Sequence, residues 1–288
     1  MSNPQLTIRV NVDVTNPGQF FACCGLLELA DRLWPGAEGW FDGGRFCIAC
    51  EGTLPELLER LANTEIKSSL TDQELKRLGT LLSAEKVKLT PAEAEEKQRL
   101  SDLWKCERLY LAKPFDFWLD WWADEQTGAK GMKTWAAKQL VLDMARSMLQ
   151  SLKTITWTRA TIQTCLNQAA EVEGVSFYFD SHNNSQNTPR DTGFGLYTLR
   201  NEIATQGNTR PLLELAAFLG IQRFRPTWVR DERVFRFSLW PSPLPISVAG
   251  AAVSGLLRVS GERRYDFRML KRSEYMKAFL SAQSFQGD

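Results

Sequence analysis

Arginine and aromatic residues alternate closely within residues 223–236 of this chain. Guanidinium groups there lie one to three positions from phenylalanine and tryptophan rings. Because guanidinium groups bind backbone phosphates and aromatic rings stack on bases, this combination is typical of surfaces that bind single-stranded nucleic acid. The residues that carry this interpretation are Arg223, Arg225, Trp228, Arg230, Arg233 and Arg236. An alternative stays open, in which the phenylalanines form a core and the arginines occupy only the solvated faces around it.

The charge of the chain is unevenly distributed, although its formal net charge is only +1. Residues 210–272 contain twelve Lys and Arg against five Asp and Glu, whereas residues 1–209 contain 22 basic and 27 acidic side chains. A basic C-terminal quarter predicts a surface that faces a polyanion. Arginines paired with acidic groups elsewhere on the fold would give the same composition, so the count alone does not separate the two.

Two other segments add candidate contacts to nucleic acid. Lys133 and Lys138 flank Trp135 at the predicted start of a helix. Arg190 belongs to a polar segment, residues 180–195, that is rich in Asn and Ser and ends in glycines, which favours a loop. We expect this loop to close over a nucleic-acid strand, with Lys133, Lys138 and Arg190 as additional phosphate contacts.

No motif in the sequence predicts catalysis. Asp116 and Asp120 lie four residues apart in a predicted strand, so about 13 Å separates them, which is too far for one metal ion. His182 beside Asp180 could act as a general base, but catalytic sets come from distant elements, and a polar loop is the preferred interpretation. The sequence contains none of the common phosphate-loop, dinucleotide-binding or zinc-protease motifs. We therefore predict a protein that is not an enzyme and uses no metal or other cofactor.

Six cysteines are present, and the only pair with metal-ligand spacing is Cys47 and Cys50. This pair lies in a strand-like stretch, where residues three apart point to opposite faces and do not form a zinc knuckle. Reduced, buried thiols in a cytoplasmic protein are the expected state. The cytoplasmic prediction also follows from the first five residues, which lack a signal-peptide pattern, and from the absence of a membrane-length apolar run.

The elements that must position these residues begin with a strand, a capped helix and a hairpin. Residues 7–14 alternate apolar and polar side chains, Asn16 and Pro17 are typical of a helix start, and residues 42–44 predict a tight turn. A second amphipathic helix follows, and residues 66–70 could supply a fourth strand. This order predicts an α+β fold with a ferredoxin-like, RRM-type core and helical insertions.

The predicted domain organisation has three parts. Residues 1–70 are the ferredoxin-like N-terminal part, residues 71–108 are a charged helical insertion, and residues 109–288 are a second α+β part with the basic quarter. We expect the first and third parts to form one compact unit, since the chain is long enough for a single large core.

Three passages of the chain carry a family resemblance. They are V-T-N-P-G-Q-F-F-A-C-C-G-L-L-E-L-A-D-R-L-W at 14–34, F-W-L-D-W-W at 117–122 with K-T-W-A-A-K-Q at 133–139, and R-P-L-L-E-L-A-A-F-L-G-I-Q-R-F-R-P at 210–226. With these passages, which span most of its length, the chain resembles the accessory proteins of type I-G (formerly I-U) CRISPR–Cas systems. The resemblance implies a RAMP-like protein on an RRM-type core that takes part in antiviral defence beside a crRNA-guided complex. It supplies no catalytic residues.

Residues and resemblance together predict a cytoplasmic CRISPR-associated accessory protein that binds crRNA or other single-stranded nucleic acid without catalysis. An alternative is an assembly subunit that docks onto other Cas proteins of the effector complex, and a third is a metal-dependent nuclease. The expected partners are RNA or single-stranded DNA and other Cas proteins; a homo-oligomer is left open, and no membrane is expected. Replacing Arg223 and Arg225 by alanine is expected to weaken nucleic-acid binding with thermal stability nearly unchanged.

Overall fold

The structure is a computed structural model of the chain. It describes residues 5–83, 89–105, 109–119, 141–157, 162, 165–166, 172–174, 176–184, 207–272 and 275–285. Within these ranges helices pack with antiparallel sheets, which confirms the α+β prediction. No helix in the described ranges is long and apolar enough to cross a membrane.

The first sheet combines three strands from the N-terminal segment with one short strand from far along the chain. In spatial order its strands are β1 (Leu6–Asn11), β3 (Arg45–Ala49), β2 (Glu38–Asp42) and β11 (Leu244–Pro245). Neighbouring strands are antiparallel, so β1 and β2 run parallel with β3 between them. Gly43, with φ of +57°, closes the predicted turn between β2 and β3, since glycine adopts this conformation without steric cost.

Helix α1 (Pro17–Leu33) is the central element of the fold. Its start is the predicted one, because the Asn16 side chain accepts a hydrogen bond from the Gly18 N–H (3.0 Å) and Pro17 occupies the first turn. Every residue from Pro17 through Ala30 is buried, so the helix is enclosed rather than amphipathic.

The second sheet packs against α1 beside the first sheet, and the Phe41 N–H of the first sheet donates to the Trp240 carbonyl oxygen just after the second (2.9 Å). In spatial order the strands of the second sheet are β15 (Gln283–Phe285), β12 (Arg263–Phe267), β10 (Val234–Leu239) and β9 (Thr227–Val229). The Phe20 ring of α1 lies 5.3 Å from Phe41 of the first sheet and 4.1 Å from Phe237 of the second, measured between ring centroids. The buried Trp240 joins the two sheets, because its Nε1 donates to the Gly39 carbonyl oxygen (2.5 Å). Strands β9 and β10 form a hairpin whose turn carries Arg230, and this hairpin packs on the core.

Helix α7 (Pro211–Gly220) crosses α1 with direct backbone contact. A Cβ atom added to Gly25 would overlap the Ala216 carbonyl oxygen, and one added to Gly220 would overlap the Phe21 carbonyl oxygen. The two helices can approach this closely only because both crossing positions are glycine.

A third sheet contains the strand predicted at residues 66–70. Its order is β4 (Ile66–Ser68), β5 (Leu109–Leu111) and β6 (Phe117–Leu119), and helix α2 (Leu54–Ala62) leads into it. Strand β4 pairs with β5 instead of joining β1, so it does not complete the first sheet as a fourth strand. Among the described residues no strand pairs with the outer edge of β1. The inner face of the third sheet is apolar and buried, and Ile66 contributes to it, which explains the pairing.

Along the chain, two charged helices separate β4 from β5, although these two strands pair with each other. Helices α3 (Asp72–Ser83) and α4 (Pro91–Lys105) each begin with a reciprocal cap, in which Thr71 bonds with Glu74 and Thr90 with Glu93. Their contact forms a small apolar cluster separate from the main core, built on Leu78, Leu81 and Leu100. The helices predicted in this part of the chain are therefore present.

The remaining described elements are short, apart from one helix that packs against β4. They are α5 (Val141–Leu152), β7 (Val172–Gly174), α6 (Ser181–Asn184), β8 (Gly207–Thr209), α8 (Ile246–Val253), β13 (Met269–Arg272) and β14 (Tyr275–Phe279). Residues 176–180 do not form a strand. The N–H groups of Phe179 and Asp180 bond to the Glu214 carboxylate instead of to a neighbouring strand.

The glycine contact between α1 and α7 gives a stability prediction. We expect Gly220→Ala to lower the free energy of unfolding by about 1–3 kcal/mol, because the added methyl group forces two packed backbones apart. Gly79→Ala in α3 is the matched control. Its added methyl group meets nothing within 4 Å and should raise stability by about 0.5–1 kcal/mol. Urea denaturation measures both changes, and equal effects would contradict a close helix crossing.

Candidate nucleic-acid interface

The arginines predicted to bind nucleic acid lie on the second sheet and on the chain that leads into it. Arg223 and Arg225 follow α7, Arg230 and Arg233 lie at the turn between β9 and β10, and Arg236 lies within β10. Lys133, Lys138 and Arg190 lie outside the described residues.

Arg223 is bound to a buried carboxylate. Its Nε lies 2.5 Å from Oε2 of Glu28, a residue of α1 with no solvent exposure, and its Nη2 lies 3.4 Å from Oε1. Glu28 also accepts a hydrogen bond from Nε of Arg32 (2.7 Å). The Glu28 carboxylate raises the pKa of the Arg223 guanidinium, so this arginine stays charged and neutralises an acidic group of the core.

Arg236 is likewise committed within the protein. Its Nε and Nη2 each lie 2.7 Å from an oxygen of Asp266 on β12, in a bidentate pair, and Nη2 lies 3.1 Å from Glu232. The guanidinium also lies 3.6 Å from the ring centroid of Phe285. Composition alone left open whether the arginines are paired with acidic groups of the fold. Arg223 and Arg236 are paired in this way.

Trp228 lies on the inner face of the second sheet. It pairs directly with Phe235 across β9 and β10, and their ring centroids are 4.8 Å apart. Its side chain is half-buried and packs against the core, to which the fully buried Phe224 and Phe237 belong. Trp228 thus contributes to packing in this structure and presents little of its ring to a base.

The exposed cations converge at the end of the second sheet that carries the β9–β10 turn. Arg230 and Arg233 are exposed there, and neither forms a salt bridge with a carboxylate among the described residues. Arg268 brings a third exposed guanidinium to the same end, because its neighbour Phe267 pairs with Phe235 at the start of β10. The sequence did not single out Arg268, since only the strand register brings it beside a turn so far away along the chain.

Arg225 is exposed as well and lies apart from that turn. Its Nε donates to the Gln222 carbonyl oxygen (3.1 Å), so this arginine is engaged within the protein and is not grouped with the cations at the turn. We define Arg230, Arg233 and Arg268 as the arginine surface.

A buried polar cluster occupies the place where sequence suggested a general base. Oδ1 of Asp180 accepts from Nδ2 of Asn16 (2.7 Å), and its Oδ2 accepts from Nη1 of Arg210 (2.5 Å). Nearby, burial and the Asp180 charge raise the pKa of Glu214 to about 7. These groups tie α1, α7 and residues 176–181 together, which is a structural role that the sequence pattern did not reveal.

The His182 imidazole is held by a different carboxylate from its sequence neighbour. Its Nε2 lies 3.1 Å from Oδ2 of Asp13, at the loop before α1, and Oδ1 of Asp180 accepts the backbone N–H of His182. The adjacent Asp180, Ser181 and His182 therefore do not form a catalytic set. The predicted polar loop is wrong for its described part, because residues 181–184 form α6 and both Asp180 and Ser181 are buried.

Neither a metal site nor a relative adds to this description. Within the described ranges no group of three His, Cys, Asp or Glu side chains could hold a metal ion. Asp120 lies outside those ranges, and the described cysteines Cys23, Cys24, Cys47, Cys50 and Cys165 are free and buried. Comparison of the chain with models of protein families found no match, and no curated protein is significantly similar to it.

The Arg223 contact changes the stability expected for the two alanine substitutions. We now expect Arg223→Ala to lower the free energy of unfolding by about 1–3 kcal/mol, because buried Glu28 loses one of its two guanidinium partners. Arg225→Ala removes an exposed side chain and should stay within about 0.5 kcal/mol of the original protein. Thermal or urea denaturation of the two single variants tests this, and similar stabilities would show that Glu28 does not depend on Arg223.

Proposed function

We propose that this protein is a RAMP-like accessory protein of a CRISPR–Cas system that binds crRNA or other single-stranded nucleic acid without catalysis. The observation that carries the proposal is the arginine surface of Arg230, Arg233 and Arg268, whose exposed guanidinium groups form no salt bridge with a carboxylate of the described residues, unlike those of Arg223 and Arg236. Such groups bind backbone phosphates, displace counterions and give an affinity that falls with salt.

The N-terminal elements support the fold implied by the resemblance. Strands β1 and β2 run parallel, β3 lies between them, and α1 connects them, which is the arrangement of the first half of a ferredoxin-like sheet. The outer edge of β1, at which none of the described strands pairs, is where the fourth strand of such a sheet would pair. A RAMP-like core is therefore compatible with these four elements.

Salt dependence tests the phosphate contacts. For a fluorescein-labelled oligouridine, we expect Arg230→Ala with Arg233→Ala to weaken binding and to reduce the slope of log K against log salt by about 1.4, or about 0.7 per lost phosphate contact. The control is Arg60→Ala with Lys76→Ala, which removes the same charge from exposed positions on helices α2 and α3. Fluorescence anisotropy between low and moderate salt measures both; an equal decrease in the control would contradict a localised surface.

A second candidate function is docking onto another Cas protein, and one loop favours it. Leu256 is 86% exposed and Leu257 is 38% exposed, just after α8. The loop is held in place by Glu262, whose carboxylate accepts from Arg258, the Val259 N–H and Arg264. Two exposed leucines on a fixed loop are a suitable anchor for an apolar pocket on a protein partner.

Serine substitutions separate the two functions. We expect Leu256→Ser with Leu257→Ser to abolish co-purification of the effector complex from cells that carry the CRISPR locus, with oligouridine affinity unchanged. Leu103→Ser, at another exposed leucine in α4, is the control. Undiminished recovery of the complex with the double variant would rule out this loop as the docking contact.

A further inference from the structure

Trp118 lies in the middle of β6 with its side chain turned toward solvent. It is 54% exposed, whereas its neighbours Phe117 and Leu119 face the core and are buried. An exposed tryptophan contributes little to the core, and a large aromatic ring left in water is a common feature of binding surfaces.

The strand pairing of the third sheet places two further side chains in a row with Trp118. Trp118 pairs with Tyr110 on β5, and Tyr110 pairs with Lys67 on β4, so all three side chains lie on the same outer face. The ring centroids of Tyr110 and Trp118 are 4.9 Å apart and the rings are inclined by 52°. Because neighbouring strands lie about 4.8 Å apart, the row extends about 10 Å across the sheet.

This row rests on a rigid support. Nη1 of Arg32 donates to the carbonyl oxygens of Phe115 (2.9 Å) and Asp116 (2.7 Å), which fixes the connection between β5 and β6 to helix α1. Oγ1 of Thr64 bonds to the carbonyl oxygens of Ala112 and Lys113 at the same connection. The two aromatic rings therefore do not need to be ordered by a ligand, which reduces the entropic cost of binding.

A groove of about 770 Å³ begins at the lysine end of the row. It lies between β4 and α5, and its basic side chains are Lys67, Arg146 and Lys153, against the carboxylates of Glu65 and Asp72. The Lys67–Glu65 pair is 3.5 Å long with both side chains largely exposed, so water screens it and a phosphate can replace the carboxylate. Arg146 is anchored, because its Nε donates to the Ile66 carbonyl oxygen (3.0 Å).

We propose that Tyr110 and Trp118 form a stacking platform for the bases of single-stranded nucleic acid, while Lys67 and the groove beside β4 take the adjoining backbone phosphates. Aromatic rings offer a face to any base, so this platform would bind without sequence preference. The inference rests on the proposed nucleic-acid function, but it assigns a second surface on a different sheet from the arginine surface.

An abasic oligonucleotide distinguishes stacking from phosphate binding. For a fluorescein-labelled decathymidylate, we expect Trp118→Ala to weaken binding about 5- to 150-fold, the range for one lost base–aromatic stack. The same variant should bind an abasic decamer, which has the phosphates without the bases, as tightly as the original protein does. Trp118→Phe is the matched variant, since it keeps a ring and should retain most of the affinity. Lys67→Ala should weaken binding of both oligonucleotides by the same factor.

The outcomes separate this inference from the proposed function. If Trp118→Ala binds decathymidylate with unchanged affinity while Arg230→Ala with Arg233→Ala weakens it, the platform is wrong and the arginine surface stands. If Trp118→Ala weakens binding of both oligonucleotides equally, the ring does not act by stacking and the platform is also wrong. If the original protein binds neither oligonucleotide, the proposed function fails together with the platform. Circular dichroism of each variant confirms that an exposed position was changed without loss of fold.

Discussion

A carboxylate buried inside α1 determines how three distant parts of the chain meet. Glu28 binds Arg32 one turn further along the helix and Arg223 just beyond α7, and Arg32 continues to the carbonyl oxygens that precede β6. A carboxylate as buried as that of Glu28 would be strongly unfavourable without these partners. The Glu28 carboxylate therefore links the helix pair to the third sheet, which carries Tyr110 and Trp118.

The strand pleat separates residues that the sequence places together. In β10 Arg236 lies between Phe235 and Phe237, so the two phenylalanines enter the core while Arg236 points to the other face and binds Asp266. Neighbours in sequence thus serve different surfaces, which weakens any interpretation of the segment as a mixed arginine–aromatic site. The opposite happens in the third sheet, where Lys67, Tyr110 and Trp118 are distant in sequence and adjacent in space.

Local signals made part of this fold predictable. The Asn16 cap with Pro17, and the glycine turn after β2, depend on residues a few positions apart, and both are present as predicted. The pairing of β4 with β5 and the contact of Arg223 with Glu28, 195 positions away, depend on the packed core and left no local pattern. For the same reason the sequence pointed to arginines in general, but only the structure distinguishes those that are bound internally from those on the surface.

The helices α3 and α4 have a consequence for how the third sheet folds. Both helices lie between β4 and β5 along the chain, so the pairing of these strands must close a long loop. The entropic cost of closing a loop rises with the length of its flexible chain. Each helix has its own cap, and the pair has its own leucine cluster, so the pair can form before the strands meet. Once formed, it replaces a long flexible segment by a short, stiff one and brings the ends of β4 and β5 into reach of each other.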